Sequence, residues 1–313
     1  MAGTMIYTMG RAIADLYGNE INVPLEKVGS FRKYVGGSSA NTAVGLARLG
    51  DSVGLIGRVG NDAMGRFIRE TLQGEHVDVT MLSLDPDVST GIAFAALSPP
   101  NDSSVWFCGV PNANARLSVG DLDFQAITSA SALVIAGTIF AQEPGRSAAL
   151  AMVEAVSRLG IPVALDVDWR PMFWTNPDAA DAIYARVLAG SAVVLANEPE
   201  LALVGHSTKL DEAARRLFDF GVTEVVAKRG AQGSWYLTPH LKLHQSSYSV
   251  AVQNTLGAGD GFAAGYIHGY VAGWNPEERL RWASACGALV VSRHSCSDAM
   301  PTHDEVVKFL ASR

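Results

Sequence analysis

The sequence predicts an α/β fold in which a mostly parallel sheet carries helices on both faces. Short β-branched apolar runs alternate along the chain with longer segments in which apolar residues recur every three or four positions. This alternation of strands and helices favours parallel pairing with a helical layer on each side. The 313 residues, of which 48% are hydrophobic, are enough to bury a substantial core.

Five apolar runs are predicted to be buried strands, and three amphipathic segments that end in glycine are predicted to be helices. The chain shows no internal repeat, low-complexity tract or flexible linker, so we expect a single domain over residues 1–313. The strands are expected at residues 52–60, 132–140, 162–167, 192–197 and 224–230, and the helices at residues 40–50, 146–160 and 210–221.

Two segments with extended patterns interrupt this alternation, residues 15–36 and residues 90–110. The second has the form of a hairpin that turns at PPND, residues 99–102. Two interpretations are open. The segments can pair into a small second sheet that acts as a lid and excludes water from an active site, or they can be edge strands of the main sheet.

Composition and charge exclude several classes of partner. The net charge of −7 and the pI near 5.5 give no general attraction to nucleic acid or to anionic membranes, which favours a small-molecule partner. Neither a signal peptide nor a membrane-spanning pattern is recognisable. The three cysteines are too few and too scattered for a disulfide framework, so we expect a reducing, cytoplasmic location.

The sequence NTLGAGDGFAAGY, residues 254–266, is typical of a loop that leads directly into a helix. The backbone N–H groups of Gly257, Ala258 and Gly259 can converge on an anion, helped by the positive end of the helix dipole. If the anion is a phosphoryl group in transfer, Asp260 is placed to accept the proton of the attacking hydroxyl. The alternative interpretation is a tight turn in which Asp260 caps the helix.

Four stretches of sequence together resemble a known family of enzymes. VGGSSANTAVGLARLG at residues 35–50 and the glycine-rich stretch at 254–266 resemble the two signatures of the ribokinase, or PfkB, family of carbohydrate kinases. Two further motifs of the family, NEPE at residues 197–200 and KRGAQGS at residues 228–234, lie between these two signatures in the sequence. The resemblance implies a ribokinase-like doubly wound sheet with a small β-sheet lid. It also implies ATP and Mg²⁺ as cofactors and transfer of the γ-phosphoryl group to a primary hydroxyl of a sugar.

Within this family, the chain most resembles the branch that phosphorylates 5-dehydro-2-deoxygluconate. The resemblance is carried by residues 10–37, 165–174 and 287–302, and by Asn254, where most relatives have aspartate. The branch implies a sugar acid as acceptor, with 2-keto-3-deoxygluconate and fructose as alternatives. A non-catalytic sugar- or nucleotide-binding protein with the same fold is a different class, and the intact GAGD sequence argues against it.

The family resemblance also implies which residues bind the sugar. Asp15, just after the first predicted strand, is expected to accept hydrogen bonds from sugar hydroxyls. Gly36 and Gly37 would let the backbone approach the sugar, and Asn41 would contact it with its amide. The alternative for Asn41 is an ordinary residue in the first turn of a helix.

Asn197 and Glu200 follow a predicted strand at the edge where α/β folds bind ligands. Their oxygen atoms suit Mg²⁺ held through its retained waters, and Asn197 is also expected beside ATP. The alternative is a helix start that Asn197 caps, with Glu198 and Glu200 beside the positive end of the helix dipole. Both interpretations can hold together.

On the nucleotide side, the resemblance implies that Lys228, Gly230 and Gly233 lie close to the phosphates and ribose of ATP. Ser284 stands where many family members carry an asparagine beside the adenine. His294 lies in a stretch similar to the family's C-terminal loop, in which backbone carbonyls of many relatives hold a monovalent cation such as K⁺.

Arg170 is a candidate for binding an acidic acceptor. Its planar guanidinium can grip a carboxylate with two hydrogen bonds, whereas the alternative is a surface ion pair with Asp166 or Asp168. The chain departs from the branch at residues 108–117, where an arginine and an Asn-x-Ala-Asp arrangement are expected and this segment is expected to border the sugar pocket. The residues present are Asn112, Asn114 and Arg116.

A lid of this kind also predicts an oligomer. A small sheet that protrudes from an α/β domain leaves apolar side chains such as Ile92, Phe94 and Trp106 that a second copy can cover. We therefore expect a homodimer paired through the lids.

Overall fold

The computed structural model describes residues 4–100 and 103–313. The strands, in chain order, are β1 (Ile6–Met9), β2 (Ile13–Gly18), β3 (Phe31–Gly36), β4 (Val53–Gly60), β5 (Val77–Asp78), β6 (Leu82–Asp85), β7 (Ile92–Ala96), β8 (Ser104–Cys108), β9 (Ala132–Ala136), β10 (Val163–Asp166), β11 (Val193–Asn197), β12 (Glu224–Lys228), β13 (Ser234–Leu237) and β14 (Lys242–Gln245). The helices are α1 (Ser38–Leu49), α2 (Ala63–Gly74), α3 (Gly145–Arg158), α4 (Ala180–Leu188), α5 (Glu198–Gly205), α6 (Leu210–Asp219), α7 (Ala258–Val271), α8 (Pro276–Val291) and α9 (His303–Ala311).

Ten strands form the main sheet, in the order β14-β13-β12-β11-β10-β9-β1-β4-β5, with β6 paired to the second half of β4. All pairs from β5 to β12 are parallel, and β13 and β14 extend the sheet as antiparallel strands. The predicted α/β class with a mostly parallel sheet is confirmed. None of the helices in the described part of the chain has the length and apolar character needed to cross a lipid bilayer.

Helices cover both faces of this sheet because successive strand residues point to opposite sides. In β9, Leu133 and Ile135 belong to a core shared with α3, α4 and α6. Their neighbours Ala132 and Val134 belong to a second core shared with α1, α7 and α8. The sheet is therefore buried on both faces, as doubly wound folds require.

The strand expected at residues 132–140 is shorter in the structure. It ends at Ala136, and the chain continues as a 3₁₀ turn over Gly137–Ala141. A Cβ atom at Gly137 would lie 2.1 Å from the backbone oxygen of Val167, so the turn packs directly against the segment after β10. This turn places Thr138 beside the end of that neighbouring strand.

The two extended segments form a separate four-stranded sheet in the order β3-β2-β7-β8, which we call the lid sheet. The edge-strand interpretation is therefore wrong. Strands β7 and β8 pair antiparallel, as a hairpin requires, although residues 101 and 102 of the expected turn lie outside the described residues. Asp15 lies within β2 of the lid sheet, opposite Tyr34, and not directly after the first strand as expected.

Candidate active site

Polar residues meet where five adjacent strands of the main sheet end. Arg11 follows β1, Thr138 follows β9, Asp166 ends β10, Asn197 ends β11 and Lys228 ends β12. The neighbours of β1 are β4 on one side and β9 on the other, so the direction of strand order reverses there. Open α/β sheets bind ligands in the crevice at such a reversal.

Asp260 lies at this edge, in the first turn of α7. Its carboxylate accepts one hydrogen bond from Ser38 Oγ at 2.9 Å and another from Asn41 Nδ2 at 2.7 Å. Both donors belong to the first turn of α1, whereas the N-cap residue of α7 is Gly257. The interpretation of Asp260 as a helix cap is therefore wrong, and Asn41 is more than an ordinary helix residue.

The surroundings of Asp260 suit a general base. Burial, the negative charge of Asp168 and, more weakly, that of Asp166 raise the pKa of Asp260 to about 7, although the hydrogen bonds from Asn41 and Ser38 oppose the rise. A carboxylate with a pKa near neutrality can accept a proton from a hydroxyl group much more effectively than an ordinary aspartate. The arrangement therefore holds a proton acceptor in a fixed orientation.

The glycine-rich loop before Asp260 forms a positively polarised end of α7. Gly257 has a φ of 80°, and a Cβ atom there would lie 2.8 Å from the Cβ of Cys296. Lys228 extends towards the same loop, because its Nζ atom lies 3.5 Å from the Cβ position of Gly259. Lys228 also pairs with Asp166 at 2.8 Å. The loop, the helix dipole and the lysine together favour an anion.

Asn197 and Glu200 form a reciprocal capping box at the start of α5. The side-chain oxygen of Asn197 accepts from Glu200 N–H at 2.9 Å, and Glu200 Oε2 accepts from Asn197 N–H at 2.8 Å. Glu200 Oε1 accepts from the N–H of Trp169 at 3.1 Å. The capping interpretation is correct, and Glu200 is buried with its carboxylate at the end of β11.

The carboxylates here do not form a direct metal cage. Across residues 4–100 and 103–313, no group of three His, Cys, Asp or Glu side chains has the arrangement of a metal site. Burial and the nearby charge of Asp166 raise the pKa of Glu200, whereas Lys228 opposes this rise. A hydrated divalent cation would relieve this accumulation of negative charge without requiring direct ligands.

Asp15 is a buried residue of the lid sheet. Its Oδ2 atom accepts hydrogen bonds from Cys296 Sγ at 3.3 Å and from Tyr17 Oη at 3.4 Å. A Cβ atom at Gly36 would collide with the Asp15 carboxyl group, so glycine is required there by Asp15 itself. Burial raises the pKa of Asp15 to about 6, and the Cys296 hydrogen bond and the charge of Arg11 both oppose the rise.

Gly37 has a φ of 92° and precedes α1. A Cβ atom there would lie 2.5 Å from the backbone oxygen of Arg11. The close contacts of the backbone at Gly36 and Gly37 are therefore made with Asp15 and Arg11 of the chain itself. Their contact with a sugar stays a prediction.

Asp168 joins two arginines. Its Oδ1 atom pairs with Arg170 Nη2 at 3.2 Å, and its Oδ2 atom pairs with Arg11 Nη2 at 3.1 Å. Asp168 is buried and has a φ of 34°, which is unusual for a residue other than glycine. The alternative interpretation of Arg170, an ion pair with Asp168, is therefore present, although Asp168 is buried and the pair belongs to a cluster that also contains Arg11.

The residues expected on the nucleotide side are less closely assembled. Gly230 and Gly233 have φ values of 53° and 86° at either end of a 3₁₀ turn that follows Lys228. A Cβ atom at Gly233 would meet the backbone oxygen of Gln245 at 2.1 Å, so packing within the sheet already explains that glycine. Ser284 is buried in α8. The contacts of these residues with ATP stay predictions.

The C-terminal loop contacts the lid sheet. Nδ1 of His294 lies 3.1 Å from the hydroxyl of Tyr34, and its Nε2 lies 3.3 Å from the backbone oxygen of Gly18. The carbonyls of His294 and Ser295 accept hydrogen bonds from Asn254 Nδ2 at 3.1 and 3.4 Å. Asn254 therefore fastens this loop to the start of the glycine-rich stretch.

Residues of the segment 108–117 border a cleft beneath the lid sheet, and the contact of this segment with a sugar stays a prediction. Asn112 and Asn114 line this cleft, and Asn114 Oδ1 accepts a hydrogen bond from Ala12 N–H at 2.8 Å. Arg116 points elsewhere, because its guanidinium pairs with Asp85 at 3.1 Å. Arg116 is thus not a substitute for the missing arginine of this segment.

Sequence reasoning missed four residues of the site, Arg11, Ser38, Asp168 and Cys296. Ser38 lies within the signature at residues 35–50, three positions before Asn41, so a helix model alone could have placed both on one face. Arg11 and Cys296 lie within the longer stretches of resemblance at residues 10–37 and 287–302, which do not single them out, and the closeness of Asp168 to Arg170 in sequence indicates only an ion pair between those two. No local pattern indicates that Arg11 and Asp168 meet.

Comparisons with known proteins agree with this geometry. A family model for the pfkB family carbohydrate kinases matches residues 4–303. A 5-dehydro-2-deoxygluconokinase from Geobacillus thermodenitrificans (strain NG80-2) is 35% identical over 308 residues, which cover 96% of this chain and 91% of the relative.

Two crystal structures with bound ligands have the same fold. A putative ribokinase II from E. coli in complex with ATP and Mg²⁺ has a TM-score of 0.92 and 26% identity, covering 99% of this chain and 100% of the other. A fructokinase double mutant from Vibrio cholerae O395, with fructose, ADP and potassium ion, has a TM-score of 0.88 and 28% identity, with 98% of both chains covered. The family model, the near-complete match and the residues assembled around Asp260 together show that this chain belongs to the pfkB family of carbohydrate kinases.

Proposed function

We propose that this kinase transfers the γ-phosphoryl group of ATP to a primary hydroxyl of 5-dehydro-2-deoxygluconate. The observation that carries the reaction type is the Asp260 carboxylate, held by Ser38 and Asn41 at the start of α7 with Lys228 beside the same loop. The choice of acceptor is supported by the relative of that name, which matches this chain almost from end to end. The guanidinium groups of Arg11 and Arg170, which share the carboxylate of Asp168, favour an acidic sugar over a neutral one.

In this reaction Asp260 acts as the general base. Its carboxylate accepts the hydroxyl proton while the hydroxyl oxygen bonds to the γ-phosphorus, and the bond between that phosphorus and the bridging oxygen breaks to release ADP. The N–H groups of residues 257–259 and the ammonium of Lys228 stabilise the charge on the transferring group. Asp15 orients the sugar by accepting hydrogen bonds from other hydroxyls.

The donor set at the end of β11 fits a hydrated magnesium ion. Both oxygens of Glu200 already accept backbone N–H bonds, so the carboxylate and Asn197 would hold the ion through its waters. When bound, magnesium neutralises phosphate charge. A monovalent cation such as K⁺ near the C-terminal loop stays a prediction. Two backbone carbonyls of that loop, those of His294 and Ser295, accept hydrogen bonds from Asn254.

A coupled assay of ADP release tests this function directly. We expect the highest kcat/KM with 5-dehydro-2-deoxygluconate, lower values with 2-keto-3-deoxygluconate, and the lowest with fructose, because only the first two carry a carboxylate. A higher kcat/KM with fructose would contradict the proposed acceptor. Absence of ADP release with all three acceptors at millimolar concentration would contradict the kinase activity itself.

We also propose that two copies pair through their lid sheets in the cytoplasm. Phe94 and Trp106 lie opposite each other in β7 and β8, on the other face of the lid sheet from Asp15, and Phe31 packs edge-on against Phe94. Trp106 is 56% exposed, so this row of rings leaves apolar area for a second copy to cover. Ile92 also lines the cleft beneath the lid.

Light scattering tests the pairing. We expect a dimer at micromolar concentration and a shift towards monomer for Trp106→Lys, because the ammonium group would be buried in the interface. Trp235→Lys makes the same change at a partly buried tryptophan on β13 of the main sheet and should leave the molar mass unchanged. A stable wild-type monomer with full activity would contradict the proposal.

A further inference from the structure

The cleft beneath the lid sheet has an apolar and amide lining with one charge. It is bordered by Phe107 of β8, by Phe173 after β10, and by the amides Asn112, Asn114 and Gln142. Within residues 4–100 and 103–313, Arg11 is the one charged residue that lines it. A single guanidinium in a cleft with few other polar groups is a specific feature for an anionic part of a ligand.

Arg11 is held rigidly but keeps donors free. Its Nε atom donates to Thr138 Oγ1 at 3.0 Å and its Nη2 atom to Asp168 Oδ2 at 3.1 Å. The guanidinium carbon lies 5.1 Å from the ring centre of Phe173 and 5.7 Å from that of Phe107. No protein group in the described part of the chain accepts from Nη1, so its two N–H groups remain for a ligand.

Arg11 shares its acidic partner with a second arginine. Arg11 and Arg170 both pair with the single carboxylate of Asp168, one at each oxygen. The side chain of Arg11 is only 12% exposed, whereas that of Arg170 is 44% exposed. An acceptor carboxylate near Arg11 would meet a guanidinium in a partly desolvated place, where charge-assisted hydrogen bonds are strong.

The two arginines face different parts of the site. The charge of Arg11 opposes the rise that burial causes in the pKa of Asp15 in the lid sheet, whereas the pKa of Arg170 is raised mainly by Asp168 and more weakly by Glu200 and Asp260. Arg170 does not line the cleft. The earlier interpretation of Arg170 as the group that binds an acidic acceptor therefore fits its surroundings less well than it fits those of Arg11.

We propose that Arg11 recognises the carboxylate of the acceptor and thereby determines the preference for sugar acids, with Asp168 and Thr138 as positioning residues. Arg170, in the same cluster, supports phosphoryl transfer and does not distinguish acidic from neutral acceptors. This inference rests on the proposed function, because it assumes that the acceptor is a sugar acid.

The test compares 5-dehydro-2-deoxygluconate with its methyl ester, which has nearly the same shape but no charge. For Arg11→Gln we expect KM for the acid to rise by about 10- to 100-fold, because charge-assisted hydrogen bonds are lost, while KM for the ester changes by less than about threefold. Arg11→Lys keeps the positive charge but loses the planar guanidinium that can donate two parallel hydrogen bonds, so we expect an intermediate rise in KM for the acid. Calorimetric titration of the acid without nucleotide should show the same order of affinities.

Arg116→Gln is the matched control, because it removes one positive charge next in sequence to the cleft residue Ala115, while the guanidinium of Arg116 pairs with Asp85 and does not line the cleft. It should leave the ratio of the two KM values unchanged, whereas Arg170→Gln should lower kcat for both acceptors alike.

Equal losses for acid and ester in the Arg11 variants, or a wild-type enzyme that does not prefer the acid, would overturn the role of Arg11 and leave the kinase function standing. A wild-type enzyme that phosphorylates neither compound would instead overturn the proposed acceptor. If Arg11→Gln does not fold, Arg11→Lys carries the same comparison.

Discussion

Replacement of Asp260 by asparagine is expected to lower kcat by roughly a hundred- to ten-thousand-fold, because the amide cannot accept the proton of the attacking hydroxyl. Asparagine has the same size and still accepts one hydrogen bond from α1, where Ser38 and Asn41 now donate to the carboxylate. The affinity for ATP should therefore survive. The coupled assay measures kcat, and calorimetric titration measures ATP binding.

The dependence of activity on pH provides a second readout for Asp260. Burial and the charge of Asp168 raise the pKa of Asp260 to about 7, and only the ionised form accepts a proton. The value of kcat/KM should therefore fall as the pH is lowered through about 7 and rise above it. The residual kcat/KM of Asp260→Asn should not fall in this way as the pH is lowered.

A matched change elsewhere separates catalysis from helix stability. Asp62 is the N-cap of α2 and accepts a hydrogen bond from Gly65 N–H, so Asp62→Asn replaces a genuine cap. It should leave kcat near the wild-type value, since asparagine caps about as well as aspartate. A near-wild-type kcat for Asp260→Asn, with both variants folded by thermal melting, would rule out Asp260 as the base.

Replacement of Gly257 by alanine is expected to lower kcat by about a hundred-fold or more, because it displaces the N–H groups that we propose stabilise the transferring phosphoryl group. Gly257 has a φ of 80°, and the new Cβ would lie 2.8 Å from the Cβ of Cys296 and 3.1 Å from its Cα. Neither atom is the flexible end of a side chain, so the glycine-rich loop itself must shift. The coupled assay at saturating ATP measures this loss.

Gly50 supplies the control for the loop variant. It follows α1 with a φ of 103°, and a Cβ there would meet nothing within 4 Å. Gly50→Ala should therefore cost about 1–2 kcal/mol of stability from the left-handed backbone alone, with kcat unchanged. Similar kcat values for the two variants would show that the Gly257 loop does not stabilise the reaction.

The sequence was sufficient for those parts of the fold and site that depend on local patterns. Apolar periodicity predicted β4, β10, β11 and β12, and the position of Asn197 and Lys228 at strand ends followed from the same runs. The length of β9 was overestimated, because the apolar residues after Ala136 continue in a buried 3₁₀ turn and have the same hydrophobicity as a strand. Hydrophobic runs do not distinguish these conformations.

The remaining features depend on contacts between distant residues. Arg11 and Asp168 are 157 positions apart, and no periodicity connects them. The sequence alone also left open whether Asp260 is a cap, because only the approach of α1 shows that Ser38 and Asn41 occupy its oxygens. The family resemblance implies a nucleotide beside Gly233, whereas the backbone of Gln245 already requires a glycine there.

These long separations also determine when activity can appear as the chain folds. The two hydrogen bonds to Asp260 span 222 and 219 residues, and the contact between Asp15 and Cys296 spans 281. Contacts between residues so far apart in the sequence form only after most of the intervening chain has been ordered, since the entropy cost of closing large loops must be offset first. A chain emerging from the ribosome thus holds α1 long before its partner α7 has been synthesised. Phosphoryl transfer is consequently a property of the completed fold, and partly folded chains do not hold the Asp260 carboxylate against Ser38 and Asn41.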